Sequence, residues 1–317
     1  MKKSPYLKPL IIFVAFWLFL SFISGVMFSG FHLTDDCNFI RINNAIHNEG
    51  FWNTLLNKIT YGLEIRLKPI DYIQRVIRMG LFGTNYTAHS IFVSFLGGLT
   101  SFFLYQFAKN QKYSVFESTM LPLLALCGFQ SIIWFHLGYD EMFGMFFLSI
   151  ALLFMGQSIN SPRKKLYNTL FILFCSLFSY TKETFILLLP AIVFWKNALE
   201  KQTAKISWRL VIKNNKALNL FLLLFLALDL LFLKFGIKVT NIGYAGFEGI
   251  NLPQNIKTFN DFCSLPPQIL SIPLLVFILT LVQKNFDNFK KTINCFFSEA
   301  YTSVVLFVLI VIPQCLV

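Results

Sequence analysis

Apolar residues gather along this chain into long runs separated by short polar stretches. The first run, Leu10 to Phe28, carries no charge. Others lie at approximately 86–108, 115–136, 139–157, 166–180, 184–195, 218–237, 265–283 and 300–317. A helix needs about 20 predominantly apolar residues to cross the hydrocarbon core of a bilayer, so the pattern predicts an all-α chain, a polytopic transmembrane bundle of about nine spans. The runs at 166–180 and 184–195 are short. They fit either a hairpin that does not fully cross or two tilted spans meeting at a polar mouth.

Two connections are long. Segment 31–85 is broken by Gly50, Gly62 and Pro69. Between those breaks the spacing predicts amphipathic helices. In the first, Phe51, Trp52, Leu55, Leu56 and Ile59 share a face, with Asn53, Asn57 and Lys58 off it. In the second, over 69–81, Ile73, Val76 and Ile77 form the apolar stripe while Arg75 and Arg78 point elsewhere. Helices of this kind lie along a membrane interface, aromatic side down. Segment 238–264, with Gly243, Gly246, Gly249 and Pro253, reads as irregular loop. Segment 196–217 reads as a basic amphipathic connector suited to lipid headgroups. No internal repeat is evident, which argues against inverted-repeat transporter folds.

Composition agrees with the runs. Hydrophobic residues make up 56% of the chain and charged residues 13%, against about half and a quarter in soluble domains. The run at 10–28 follows Met1-Lys2-Lys3 and Lys8. It is longer than the core of a signal peptide, and Ser21, Ser24 and Gly25 are followed by bulky residues rather than a small-x-small exit. A retained anchor is expected.

Charge sets an orientation. With the amino terminus in the cytoplasm and connections alternating, the inner side holds 17 of the 27 basic residues and only four acidic ones. The outer side holds 10 of each. That asymmetry follows the positive-inside rule. The basic balance therefore reports membrane orientation, and no interleaved basic-aromatic surface suggests a nucleic-acid partner. The expected location is a cell (inner) membrane. No CxxC occurs, and the spacing of Cys37 and Cys263 does not argue for a disulfide.

Several polar clusters fall on the predicted outer face. Thr34-Asp35-Asp36 follows the first run. Adjacent carboxylates repel, so they fit either a solvated loop with Thr34 or Asp35 capping a helix from Cys37, or a general base or metal ligand facing a cavity. Thr181-Lys182-Glu183 lies between two apolar runs. It is either a self-neutralising pair closing a hairpin, or a site where Lys182 binds phosphate as a point charge and Glu183 orients it. Arg66-Leu67-Lys68-Pro69 fits interfacial snorkelling or ligand binding. Tyr139-Asp140-Glu141 fits a polar turn or a second pair of carboxylates. Asp229 sits within a run, where an ionisable residue is functional by default, although a hydrogen bond to a neighbouring helix explains it more simply. His32, His47, His89 and His136 have no evident partners.

This arrangement resembles the GT-C superfamily of membrane glycosyltransferases, which includes the protein O-mannosyltransferases and the aminoarabinose transferases of lipid A. One span, then an acidic pair, then a long outer loop of juxtamembrane helices is the family order. Asp35-Asp36 followed by Phe39 and Ile42 is similar to the family's acidic pair with its helical continuation. Lys182-Glu183 with Pro190 resembles the Lys-containing turn before an apolar run ending in Pro. Arg66-x-x-Pro69 is loosely similar to an Arg-Pro element. The resemblance covers 1–240, which would form the transmembrane catalytic module, leaving 241–317 as an outer loop and carboxy-terminal helices. It departs from many members in having fewer spans.

The resemblance implies transfer of a sugar from a polyprenyl-phosphate-linked donor to a cell-surface glycan or lipid-linked acceptor on the extracytoplasmic face. Asp35 would be the catalytic base or a metal-side carboxylate and Asp36 its helper. Lys182 would hold the donor phosphate, with Arg66, Asp140, Glu141 and Glu183 also binding substrate. No cofactor is required with certainty; a divalent metal at the acidic pair is left open. A flippase or transporter of a lipid-linked saccharide, a glycan polymerase or an O-acyltransferase, and a membrane scaffold are the competing classes.

Overall fold

The computed structural model describes residues 6–31, 36–126, 133–134 and 136–237, together with Val305 and Leu309. Every regular element among the described residues is helical. Helix α1 spans Leu7–Ile23, and a short 3₁₀ turn follows at Val26–Phe28. Three helices then form a cap: α2 Cys37–Glu49, α3 Phe51–Ile65 and α4 Pro69–Phe82. The remainder are α5 Tyr86–Asn110, α6 Val115–Leu126, α7 Glu141–Asn160, α8 Lys164–Ser179, α9 Glu183–Ile186, α10 Leu189–Ala204, α11 Trp208–Asn214 and α12 Lys216–Phe235.

Among the described residues three helices, α5, α7 and α12, are long and apolar enough to cross a membrane. Helices α1 and α6 are apolar but shorter. The run expected at 115–136 is helical to Leu126, and most of its remainder lies outside the described residues. So do the expected span at 265–283, the loop at 238–264 and, apart from Val305 and Leu309, the expected span at 300–317. The short pair near 180 takes the form of α8, the single turn α9, and then α10.

The chain divides into two compact units, Met1–Leu189 with Asn214–Gly246, and Pro190–Lys213 with Phe247–Val317. In the first, α1 and α5 pack antiparallel along a polar, small-residue seam. Trp17 Nε1 donates to Ser101 Oγ at 2.8 Å, and Ser21 and Ser94 share a hydrogen bond of 2.6 Å. Small residues and interhelical hydrogen bonds are what hold helices together in apolar surroundings. A Cβ on Gly98 would come within 2.6 Å of the Val14 Cα. Gly98→Ala should therefore force α1 and α5 apart, costing about 1–3 kcal/mol. A lower melting temperature of the detergent-solubilised chain would show it.

Phe92 meets Phe143, and Phe103 meets Phe146, at ring separations of 6.1 and 6.0 Å, so α5 and α7 run parallel. Phe154 meets Tyr167 at 6.1 Å and Phe147 meets Phe174 at 6.2 Å, which sets α8 antiparallel to α7. The end of α1, the starts of α5 and α7, and the end of α8 therefore share one end of the bundle. The cap sits there. Gly50 turns α2 into α3 with φ +83°, a conformation glycine adopts without steric cost. Pro69 opens α4, whose Ile70 N–H donates to the Tyr180 carbonyl at 3.1 Å. In the second unit the aromatic rings of Phe194 and Trp208 stack at 5.6 Å, and Lys201 lies 5.0 Å over the Trp208 ring.

Helix α4 overturns one expectation. Arg75 and Arg78 do not point away from the packed face: they are 6% and 2% exposed, while Ile77 is 41% exposed. The charges are inside because each guanidinium meets carboxylates, carbonyls or aromatic faces there.

Candidate functional site

At the cap end, a cavity of about 360 Å³ opens between the cap helices, the turn before α7 and the turn after α8. Five cations line it, Lys58, Arg66, Lys68, Arg75 and Lys182, against three carboxylates, Asp71, Asp140 and Glu141. Helix geometry explains the grouping. Lys68, Asp71, Arg75 and Arg78 recur at three- and four-residue spacing and so share one face of α4. Asp140 precedes α7 and Lys182 precedes α9, so both project from helix starts.

The charges interlock. Lys68 Nζ contacts Asp140 Oδ2 at 2.6 Å and Asp71 Oδ2 at 3.1 Å. Arg75 donates Nε to Asp71 Oδ1 at 2.7 Å and Nη2 to Asp140 Oδ1. It also donates to the Gly138 carbonyl at 2.5 Å. Gln74 Nε2 donates to Asp71 Oδ1 at 2.7 Å. Lys182 Nζ contacts Glu141 Oε1 at 2.5 Å. Arg66 Nε donates to Glu183 Oε1 at 2.6 Å, with Nη2 on the same oxygen.

Arg78 lies under this network. Its guanidinium sits 4.8 Å over the Phe39 ring and 5.6 Å over Phe92, and Nη1 donates to the Leu137 carbonyl at 3.3 Å. Arg75 and Arg78 together thus grip the Leu137–Gly138 turn that delivers Asp140 and Glu141. Burial lowers the Arg78 guanidinium to about 9, Arg75 adding to the effect while Asp71 and Asp36 oppose it. It remains a cation at neutral pH. Burial pushes the Asp71 carboxyl up to about 6; Arg75 pulls it down and Asp140 pushes it further up. Burial would raise Asp140 as well, but Arg75 and Lys68 together hold it well below the usual carboxylate range.

The structure brings Arg66, Asp140, Glu141 and Lys182 to one cavity, with Glu183 holding Arg66 at its edge. Lys182 and Glu183 do not neutralise each other, as a hairpin-closing pair would; each pairs with a different element. Asp36 does not line the cavity. It is buried at the start of α2, makes no side-chain cap for that helix, and its charge acts on Arg78. Asp35 lies outside the described residues. Asp229, in α12, accepts a hydrogen bond from Tyr180, which gives it a partner on a neighbouring helix. His89 is buried among Phe31, Phe39 and Phe82, with Nε2 2.9 Å from the Gly83 carbonyl, and belongs to the packing.

Sequence reasoning missed Asp71, Arg75 and Arg78, and weighed Lys68 only as a neighbour of Arg66. Among the described residues no three His, Cys, Asp or Glu side chains are grouped to hold a metal ion. The cavity carboxylates are instead engaged by Lys and Arg, a donor set that suits anions. Comparison with family models, curated proteins and solved structures returned no match.

Proposed function

We propose that the chain is a multi-pass membrane glycosyltransferase of the GT-C type, with about nine spans, its amino terminus in the cytoplasm and its site on the extracytoplasmic face. It moves a sugar from a polyprenyl-phosphate-linked donor to a cell-surface glycan or a lipid-linked acceptor. The observation that supports this reading most is the excess of cations in one cavity at the end of an apolar helix bundle, walled by amphipathic helices. Trp52, Leu56 and Tyr61 expose apolar surface on α3, as a helix lying at a lipid interface would.

In this reading the donor phosphate lies against Lys182 and Lys68, with Arg66 beside them. Asp35 takes the proton from the acceptor hydroxyl. A bond forms between that oxygen and the anomeric carbon, the bond from the anomeric carbon to the phosphate oxygen breaks, and its electron pair leaves on the phosphate. Lys and Arg placed where that charge develops stabilise the transition state. Asp36 assists from below, through its charge on Arg78.

The test is transfer by the purified full chain in liposomes carrying a polyprenyl-phosphate-linked sugar. Asp35→Asn should lower transfer by about 10²–10⁴-fold at an unchanged protein level. Full activity in that variant removes Asp35 as the base. Movement of labelled donor across the vesicle membrane with no product favours the flippase instead.

A further inference from the structure

Asp71 and Asp140 reach the same two cations from different helices. Arg75 binds Oδ1 of both, and Lys68 faces Oδ2 of both at 3.1 and 2.6 Å. This brings the two carboxyls within hydrogen-bonding reach of each other. Two ionised carboxylates so placed repel strongly. Asp71 is 1% exposed, and its Oδ2 meets the Lys68 ammonium at 3.1 Å. A proton on one carboxyl, donated to the other, removes that repulsion.

We propose that the Asp71–Asp140 pair takes up one proton when a dianion enters the cavity. This rests on the reading that the cavity binds a phosphate-class group.

The surrounding charges set the sign. From α4 the pair faces Lys68, Arg75 and, one turn on, Arg78, whose own charge meets Asp36 of α2 and His89 of α5. Arg66, tied to Glu183, acts on Asp140 from the turn after α3. Glu141 is held by Lys182, and Lys58 of α3 lines the same space. Arg66, Lys68, Arg75 and Lys182 are thus already engaged by carboxylates, so an incoming anion must compete with carboxylates for them. Protonating the pair withdraws one competing charge. The ligand-free pair protonates as pH falls through about 6, the value to which burial brings Asp71. Above that pH the anion must recruit the proton, so its affinity falls as pH rises.

Sulfate is a suitable probe because it stays a dianion from pH 5 to pH 8. Titration calorimetry on the full chain in detergent, in buffers of different ionisation enthalpy, should give one proton taken up per sulfate at pH 7 and none at pH 5. Sulfate affinity should fall about tenfold per pH unit above the pair's midpoint. Asp71→Asn, which mimics a protonated carboxyl, should bind sulfate with no such dependence. Infrared difference spectra of the wild-type chain alone, with and without sulfate at pH 7, should show a new protonated-carboxyl band, so the proposal does not hang on that variant folding. Binding without proton uptake, or no sulfate binding between pH 5 and pH 8, overturns it. Neither readout uses transfer: proton-linked binding in a chain that moves no sugar sinks the glycosyltransferase reading and leaves the pair standing.

Discussion

Arg75→Ala lowers the stability of the folded chain by about 3–5 kcal/mol. The side chain is 6% exposed and binds Asp71, Asp140 and the Gly138 carbonyl at once. Truncation leaves two buried carboxyls next to each other with only Lys68 between them. Stranding charge is much costlier than never having buried it. The carboxyls respond by protonating, so the variant is most deficient at high pH. Sign and window follow from Asp140. In the native fold its carboxyl is held low, so the stability it contributes is present above the unfolded carboxylate range and is lost as pH falls through the depressed value. The alanine variant lacks that contribution at neutral pH. Arg75→Lys keeps a charge but loses the fork that spans both carboxyls, and falls between. Thermal melting in detergent at pH 5 and pH 8 measures both effects; equal melting of wild type and Arg75→Ala at pH 8 would rule the account out.

On the proposed function, Lys182→Ala should do the reverse, sparing the fold and lowering transfer. Lys182 and Glu141 each leave about a quarter of the side chain exposed, 26%. Pairs with that much solvent contribute at most about 1 kcal/mol. Melting should therefore stay close to that of wild type. Sugar transfer should fall by about 10²–10³-fold, the cost of deleting one donor at a developing anion. Lys182→Arg restores charge and should recover part of the rate. Loss of stability without loss of transfer would assign Lys182 to the scaffold alone.

The apolar runs predicted helices at α1, α5, α7 and α12, because a helix that buries its backbone polar groups in an apolar setting needs only length and hydrophobicity to be recognised. The amphipathic cap was legible too, since Gly50 and Pro69 punctuate it. The packed face of α4 is not visible in its apolar residues alone. Lys68, Asp71, Arg75 and Arg78 repeat with the same helical spacing as any apolar stripe, and Asp71 with Arg75 is an i,i+4 pair. Two basic residues among apolar ones looked like a solvent face. They are instead the packed face, because Asp140, 65 positions away from Arg75, arrives from α7. No local rule predicts that pairing. Lys182 and Asp140 line one cavity, but their separate partners, Glu141 and Lys68, depend on how the turns fold back. Asp36 illustrates the opposite error. An acidic residue after a span suggested the cavity, whereas α2 turns it inward toward Arg78.

The tie between Ile70 and Tyr180 bears on how the protein is made. Its two ends are far apart in the chain, so the cap cannot close until α8 has been synthesised. Asp140 likewise emerges 65 residues after Arg75, an interval of about 3–13 s at ordinary rates of translation. During that interval α4 carries its own partial neutralisation, Asp71 against Arg75 one turn apart. Arg78 has no such companion on α4 beyond Gln74. The nascent cap is thus a half-balanced helix waiting for its second carboxylate. Interrupting synthesis between 82 and 140 should leave it open to proteases that the finished chain resists.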